Sequence, residues 1–91
     1  MKEEQAGVLA LQILAALGED DEEIGAFLDE AGLGARELAG RASEPEVLGA
    51  VLDFVLQREK LLLALCARLD IKPAEVIKAR AVLPGGIGDW A

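Results

Sequence analysis

Residues 22–39 run EEIGAFLDEAGLGARELA, and the fold turns on how this stretch is parsed. Ile24, Phe27, Leu28 and Ala31 fall at i, i+3, i+4 and i+7, the spacing that lines one face of an α-helix. Gly32 can take the left-handed angles that stop a helix. Leu33 and Gly34 then make a tight turn, and ARELAGRA opens a short second helix. Displaced by 38 residues, the same stretch lies over KLLLALCARLDIKPAEVI at 60–77. Ala26 meets Ala64, Phe27 meets Leu65, Ala31 meets Leu69, Leu33 meets Ile71, Glu37 meets Glu75 and Leu38 meets Val76. Upstream, Ile13 and Leu14 meet Val51 and Leu52. Two explanations fit: a repeated three-helix unit, or a coincidence of apolar periods. A unit this apolar cannot hide its surface alone, so two of them would pack together.

Working outward, the rest of the chain carries helix signals. MKEEQAGVLALQILAALG has acids in its first turn, where they favour the helix dipole. Val8, Leu9, Leu11, Ile13, Leu14 and Leu17 cover most of its sides, which predicts a central helix ended by Gly18. Asp20 or Asp21 is a suitable N-cap for the second helix. Ser43 to Glu46 has the spacing of a capping box, with Pro45 tolerated in the first turn of VLGAVLDFVL. At QREK (57–60) the chain either turns or continues into LLLALCARLD. Pro73 opens the last helix and PGG closes it. The expected fold is all-α, a compact single-domain bundle of five or six helices over residues 1–83, either with or without two pseudo-repeated three-helix units. A tail of residues 84–91 follows.

Composition limits the chemistry. Of 91 residues, 53% are hydrophobic, enough to support a small domain that buries about two-thirds of its unfolded surface. The sequence holds no His, Tyr, Thr or Asn, and Ser43 is its single hydroxyl side chain. Without His, neither a Ser-His-Asp nor a Cys-His nucleophile can be assembled within the chain, and the usual imidazole metal ligand is missing. The lone Cys66 can form no internal disulfide, and its apolar surroundings predict a buried thiol. The expectation is a protein that is not an enzyme, with no catalytic, metal or cofactor site.

No uncharged run approaches the ~20 apolar residues of a membrane span, and Glu3 and Glu4 stand where a signal peptide would need positive charge. A cytoplasmic protein with no membrane partner is expected. Net charge is −8 and unevenly placed: residues 1–46 hold twelve acids and three bases, and residues 47–91 hold five acids and six bases. The acidic 19–30 and basic 68–80 segments are expected to face each other or to mark different surfaces. The five consecutive acids of Glu19–Glu23 cannot converge on a cation as alternating calcium-loop ligands do. They predict capping and a solvated surface. AFLDEAGLGARELA has the outline of a helix-turn-helix, yet Glu22, Glu23, Asp29 and Glu30 beside it would repel phosphate. The favoured function is therefore a non-catalytic interaction module or homodimer, since Val8, Leu11, Leu48, Leu52, Leu61, Leu62 and Leu65 exceed what a thin bundle covers. A small DNA-associated regulator using Arg68 to Arg80 is the alternative.

Several pieces together resemble a small all-helical family of unknown function associated with alphaproteobacteria. They are LALQILAAL, the FL…AGL of Phe27 to Leu33, the VLDF of Val51 to Phe54, LLLALC at 61–66, and ARAVLPGG followed by Trp90. The resemblance spans nearly the whole chain. It implies an all-helical fold and no assigned activity.

The end of the chain, LPGGIGDWA, carries one further expectation. Pro84 cannot continue a helix, and Gly85 and Gly86 permit a sharp reversal. Ile87 and Trp90 would then fold back and cover apolar surface as a clasp, or insert into a partner. Pro84, Gly85, Gly86, Ile87 and Trp90 are thus the candidate interaction residues.

Overall fold

The computed structural model of the protein describes residues 1–84. Six helices account for most of them: α1 (Glu3–Leu17), α2 (Asp21–Ala31), α3 (Ala35–Arg41), α4 (Pro45–Leu56), α5 (Glu59–Leu69) and α6 (Pro73–Val82). No strand occurs among the described residues. The chain at 57–60 turns: Gln57 and Arg58 separate α4 from α5.

The centre of the bundle is α4. Val47, Leu48, Ala50, Val51, Leu52, Phe54 and Val55 are all buried on it, and it touches α1, α2, α5 and α6. α1 is less enclosed than its sequence predicts. It packs on α4, α5 and most extensively on α6, burying Leu9, Ile13, Leu14 and Leu17 while Val8 and Leu11 stay outside. Phe27 of α2 meets Phe54 edge to face, with ring centroids 5.5 Å apart at 80°, the geometry that the aromatic quadrupole favours.

Two start and stop signals act differently from expectation. Ser43 caps nothing: it lies exposed in a turn, and the N-cap of α4 is Glu44. Pro45 at N1 explains this, because a residue before proline is driven to extended angles. Glu44 has φ −69° and ψ 131°, so the helix begins one residue past the register a Ser43 box needs. Gly18 keeps helical angles (φ −66°, ψ −15°), and α1 tightens into Asp20 through Glu19 N–H to Ala16 C=O at 3.2 Å and Asp20 N–H to Leu17 C=O at 3.1 Å. Asp20 does cap α2, accepting from the N–H groups of Glu22 (3.0 Å) and Glu23 (3.2 Å).

The 38-residue displacement seen in the sequence recurs in the backbone. α2 and α5 begin and end at displaced positions, and α3 and α6 begin so. Gly32 (φ 71°) and Asp70 (φ 55°) both stop their helices in the left-handed region. Leu33 N–H bonds Leu28 C=O at 3.0 Å, and Ile71 N–H bonds Cys66 C=O at 2.9 Å, the same wide Schellman closure. Glu37 then braces Gly34 N–H (3.3 Å), as Glu75 braces Lys72 N–H (3.1 Å). The packing is not equivalent. α6 lies along α1 and α4 and buries Val76 and Ala79, whereas α3 buries Leu38 alone and has no comparable neighbour.

The two stops give opposite expectations. Left-handed angles cost a side chain energy that glycine does not pay. Gly32→Ala should therefore destabilise by about 1–2 kcal/mol, and Asp70→Gly should stabilise by about 0.5–1 kcal/mol. Paired urea melts measure both; shifts of the same sign would show that the two turns are not equivalent.

Candidate functional site

The described chain ends on a built exit. Leu83 leaves α6 in extended conformation (φ −98°, ψ 140°) and stays buried. Its carbonyl accepts from Arg80 Nη1 at 2.6 Å, while Arg80 Nε donates to Asp53 Oδ1 of α4 at 2.6 Å. Pro84 follows, exposed, with its carbonyl pressed against Gly49 of α4. A Cβ added at Gly49 would lie 2.5 Å from that oxygen, so glycine is what lets the exit cross α4 here. Of the candidate tail residues, only Pro84 is among those described; Gly85, Gly86, Ile87 and Trp90 lie outside them. The Asp53–Arg80 pair was not foreseen from sequence. Its signal is Asp53 itself, the single charge in the apolar run Val47–Leu56.

Most of the leucines expected to be in surplus belong to the core. Leu48, Leu52, Leu62 and Leu65 are buried and Leu61 is half-buried. Val8 and Leu11 are exposed as expected, at 55% and 40%, joined by Leu63 at 50% and Ile77 at 59%. Periodicity accounts for Leu63. Within LLLALC, helical spacing turns Leu62, Leu65 and Cys66 inward together and leaves Leu63 on the opposite side. Cys66 is a core residue, and burial, with a smaller contribution from Glu75, pushes its thiol above the ordinary range.

A single ion pair, at Arg68, joins the acidic 19–30 segment to the basic 68–80 segment among the described residues, and a second ties the acidic segment to Arg58, outside the basic one. Glu19 pairs with Arg68, and Glu30 with Arg58 at 2.6 Å. Arg58 also donates to the Phe54 carbonyl at 3.1 Å and sits 3.7 Å over the Phe54 ring. Its charge thus covers the end of α4 where carbonyls are unpaired. The remaining acids of the 19–23 run cap α2 or lie at its surface, and no cluster of His, Cys, Asp or Glu suited to a metal occurs among the described residues. No described helix is long and apolar enough to cross a membrane.

Fold and surface define an all-helical bundle whose distinctive features are exposed apolar side chains and a clamped exit. The model of the family described as protein of unknown function (DUF3572) matches residues 3–86, and the chain belongs to that family. No curated protein and no solved structure matches it.

Proposed function

We propose that the protein is a non-catalytic interaction module of the cytoplasm that works by self-association, with protein rather than nucleic acid as its partner. The observation that supports this is the set of large apolar side chains left outside a core already complete. Val8, Leu11, Leu63 and Ile77 lie on three helices whose inner faces are filled by other residues. Val8 and Leu11, one turn apart on α1, and Ile77 on the outer side of α6 offer apolar points of contact of the kind interfaces use, and symmetric dimers are the commonest assemblies.

The basic segment gives less support to a DNA-associated reading. Arg68, though exposed, is engaged by Glu19, and Arg80 by Asp53 and the Leu83 carbonyl, which leaves Lys72 and Lys78 as the cations of that stretch with no ion pair among the described residues. Two lysines on a chain of net charge −8 offer little for counterion release. Sedimentation equilibrium at tens of micromolar is expected to return a mass near twice that of the chain. A single-chain mass throughout would reject self-association, and sequence-dependent DNA affinity at physiological salt would reject the protein-partner reading.

A further inference from the structure

α2 and α5 face each other without packing closely, and the seam between them is an open groove. Two adjoining depressions of about 160 and 550 Å3 share Glu23 and Leu61 as common walls. Ala26 of α2 and Ala64 of α5 keep the groove wide, and Leu17 and Leu65 form its apolar floor. The two helices run antiparallel, because Glu19–Arg68 ties the start of α2 to the end of α5 and Glu30–Arg58 ties the opposite ends. With both arginines taken, the charge left at the groove is negative. Glu23 and Glu59 have no ion-pair partner among the described residues, Asp21 and Glu22 lie exposed at the head of α2, and Lys60 is the one remaining base in the lining.

The molecule also carries a matching piece. The outer face of α6 presents Ala74, Ile77, Lys78 and Ala81 at i, i+3, i+4 and i+7, all exposed, with Lys72 just ahead of it. This is an apolar stripe with a projecting knob, Ile77 at 59% exposure, flanked by two lysines. α6 has ten residues, about 15 Å of helix, and α5, which sets the length of the groove, has eleven. A helix laid into a groove through i, i+3, i+4 and i+7 anchors is an established mode of recognition.

We propose that the α6 face of one copy seats in the α2–α5 groove of a second copy, Ile77 entering between Ala26 and Ala64 while Lys72 and Lys78 approach the acids of α2 and the head of α5. This assignment rests on the self-association proposed above and names its contact. Length, apolar stripe and opposite charge all agree, and every copy offers one knob and one groove.

Ile77→Lys removes the knob, and Ala64→Trp fills the groove without altering charge. Both positions are exposed, so both variants should keep wild-type circular dichroism and melt as the wild type does at concentrations low enough to dissociate it. Each alone is expected to weaken self-association at least about tenfold. A twofold pair makes this contact twice, so mixing the two variants in equal amounts should recover part of the affinity: the intact Ile77 of the Ala64→Trp chain enters the open groove of the Ile77→Lys chain, while the reciprocal contact stays lost. The charge arm pairs Glu23→Lys with Lys78→Glu: each single change weakens association, and both mixing the two single variants and combining them in one chain restore it, because position 78 then again meets the opposite charge at position 23 of the other copy. A wild-type dimer left intact by Ile77→Lys and Ala64→Trp would overturn this contact and leave self-association to the Val8 and Leu11 face. A wild-type protein that is monomeric throughout would overturn both.

Discussion

Phe54→Ala is expected to cost about 3–5 kcal/mol, the range for deleting a buried aromatic ring. A 91-residue domain has roughly 5–14 kcal/mol in all, so this one change should remove about a fifth of it or more. Three separate interactions end on the Phe54 ring. It is fully buried in α4, it takes the edge-to-face contact of Phe27, and it lies beneath the Arg58 guanidinium. Removing it leaves a void at the point where α2 rests on the core. It also leaves Arg58 with its Glu30 and Phe54 carbonyl bonds but no aromatic face. Urea melts of Phe54→Ala, Phe27→Ala and the double variant would resolve the pair, whose coupling is expected at about 0.5–1.5 kcal/mol. A loss under about 1.5 kcal/mol for Phe54→Ala would mean that the site collapses readily and that α2 is held elsewhere.

The second large effect is at Gly49, and its sign is the informative part. In an unobstructed helix interior, Gly→Ala stabilises by about 1 kcal/mol through propensity. Gly25 in α2 is such a place, with open space where a Cβ would be. At Gly49 the same methyl would meet the Pro84 carbonyl at 2.5 Å and the Arg80 guanidinium at 3.5 Å. Backbone cannot rotate away as a side-chain tip can. Overpacking of this kind costs about 1–3 kcal/mol, so Gly49→Ala should destabilise while Gly25→Ala stabilises. Melting the two variants side by side decides it; equal shifts would show that the exit at Pro84 is free to move aside.

Much of the fold was legible because local rules dictate it. Apolar spacing at Ile24–Ala31, the stop at Gly32, the cap at Asp20 and proline at the heads of α4 and α6 are decided within a turn or two of chain. The same locality explains the failures. Ser43 has a capping side chain at capping-box spacing, yet its neighbour Pro45 sets the register one residue later. Leu48, Leu52, Leu62 and Leu65 look like a surplus when counted along the sequence. They become a core once α4 and α5 are set against α1 and α6, a fact that depends on residues tens of positions apart. The candidate surfaces were legible in part. Val8 and Leu11 stood in the apolar surplus, although the apolar cover on most sides of α1 pointed to a buried helix, while Ile77 was hidden because α6 has apolar residues on both its inner and outer sides. Arg80–Asp53 joins residues 27 apart and could be suspected only from an aspartate isolated in an apolar run.

The pairing of α1 with α6 has a consequence for how the chain is made. The first helix packs most extensively on the last. During synthesis, then, α1 emerges from the ribosome long before its main partner exists. Leu9, Ile13, Leu14 and Leu17 can find part of their cover on α4, but the remainder waits until residues 73–82 have cleared the exit tunnel. Contacts between helices adjacent in sequence, such as α4 with α5, are short-range and can form as they appear. Closing the bundle has to wait for α6, so the nascent chain carries a partly uncovered apolar helix until residues 73–82 have emerged.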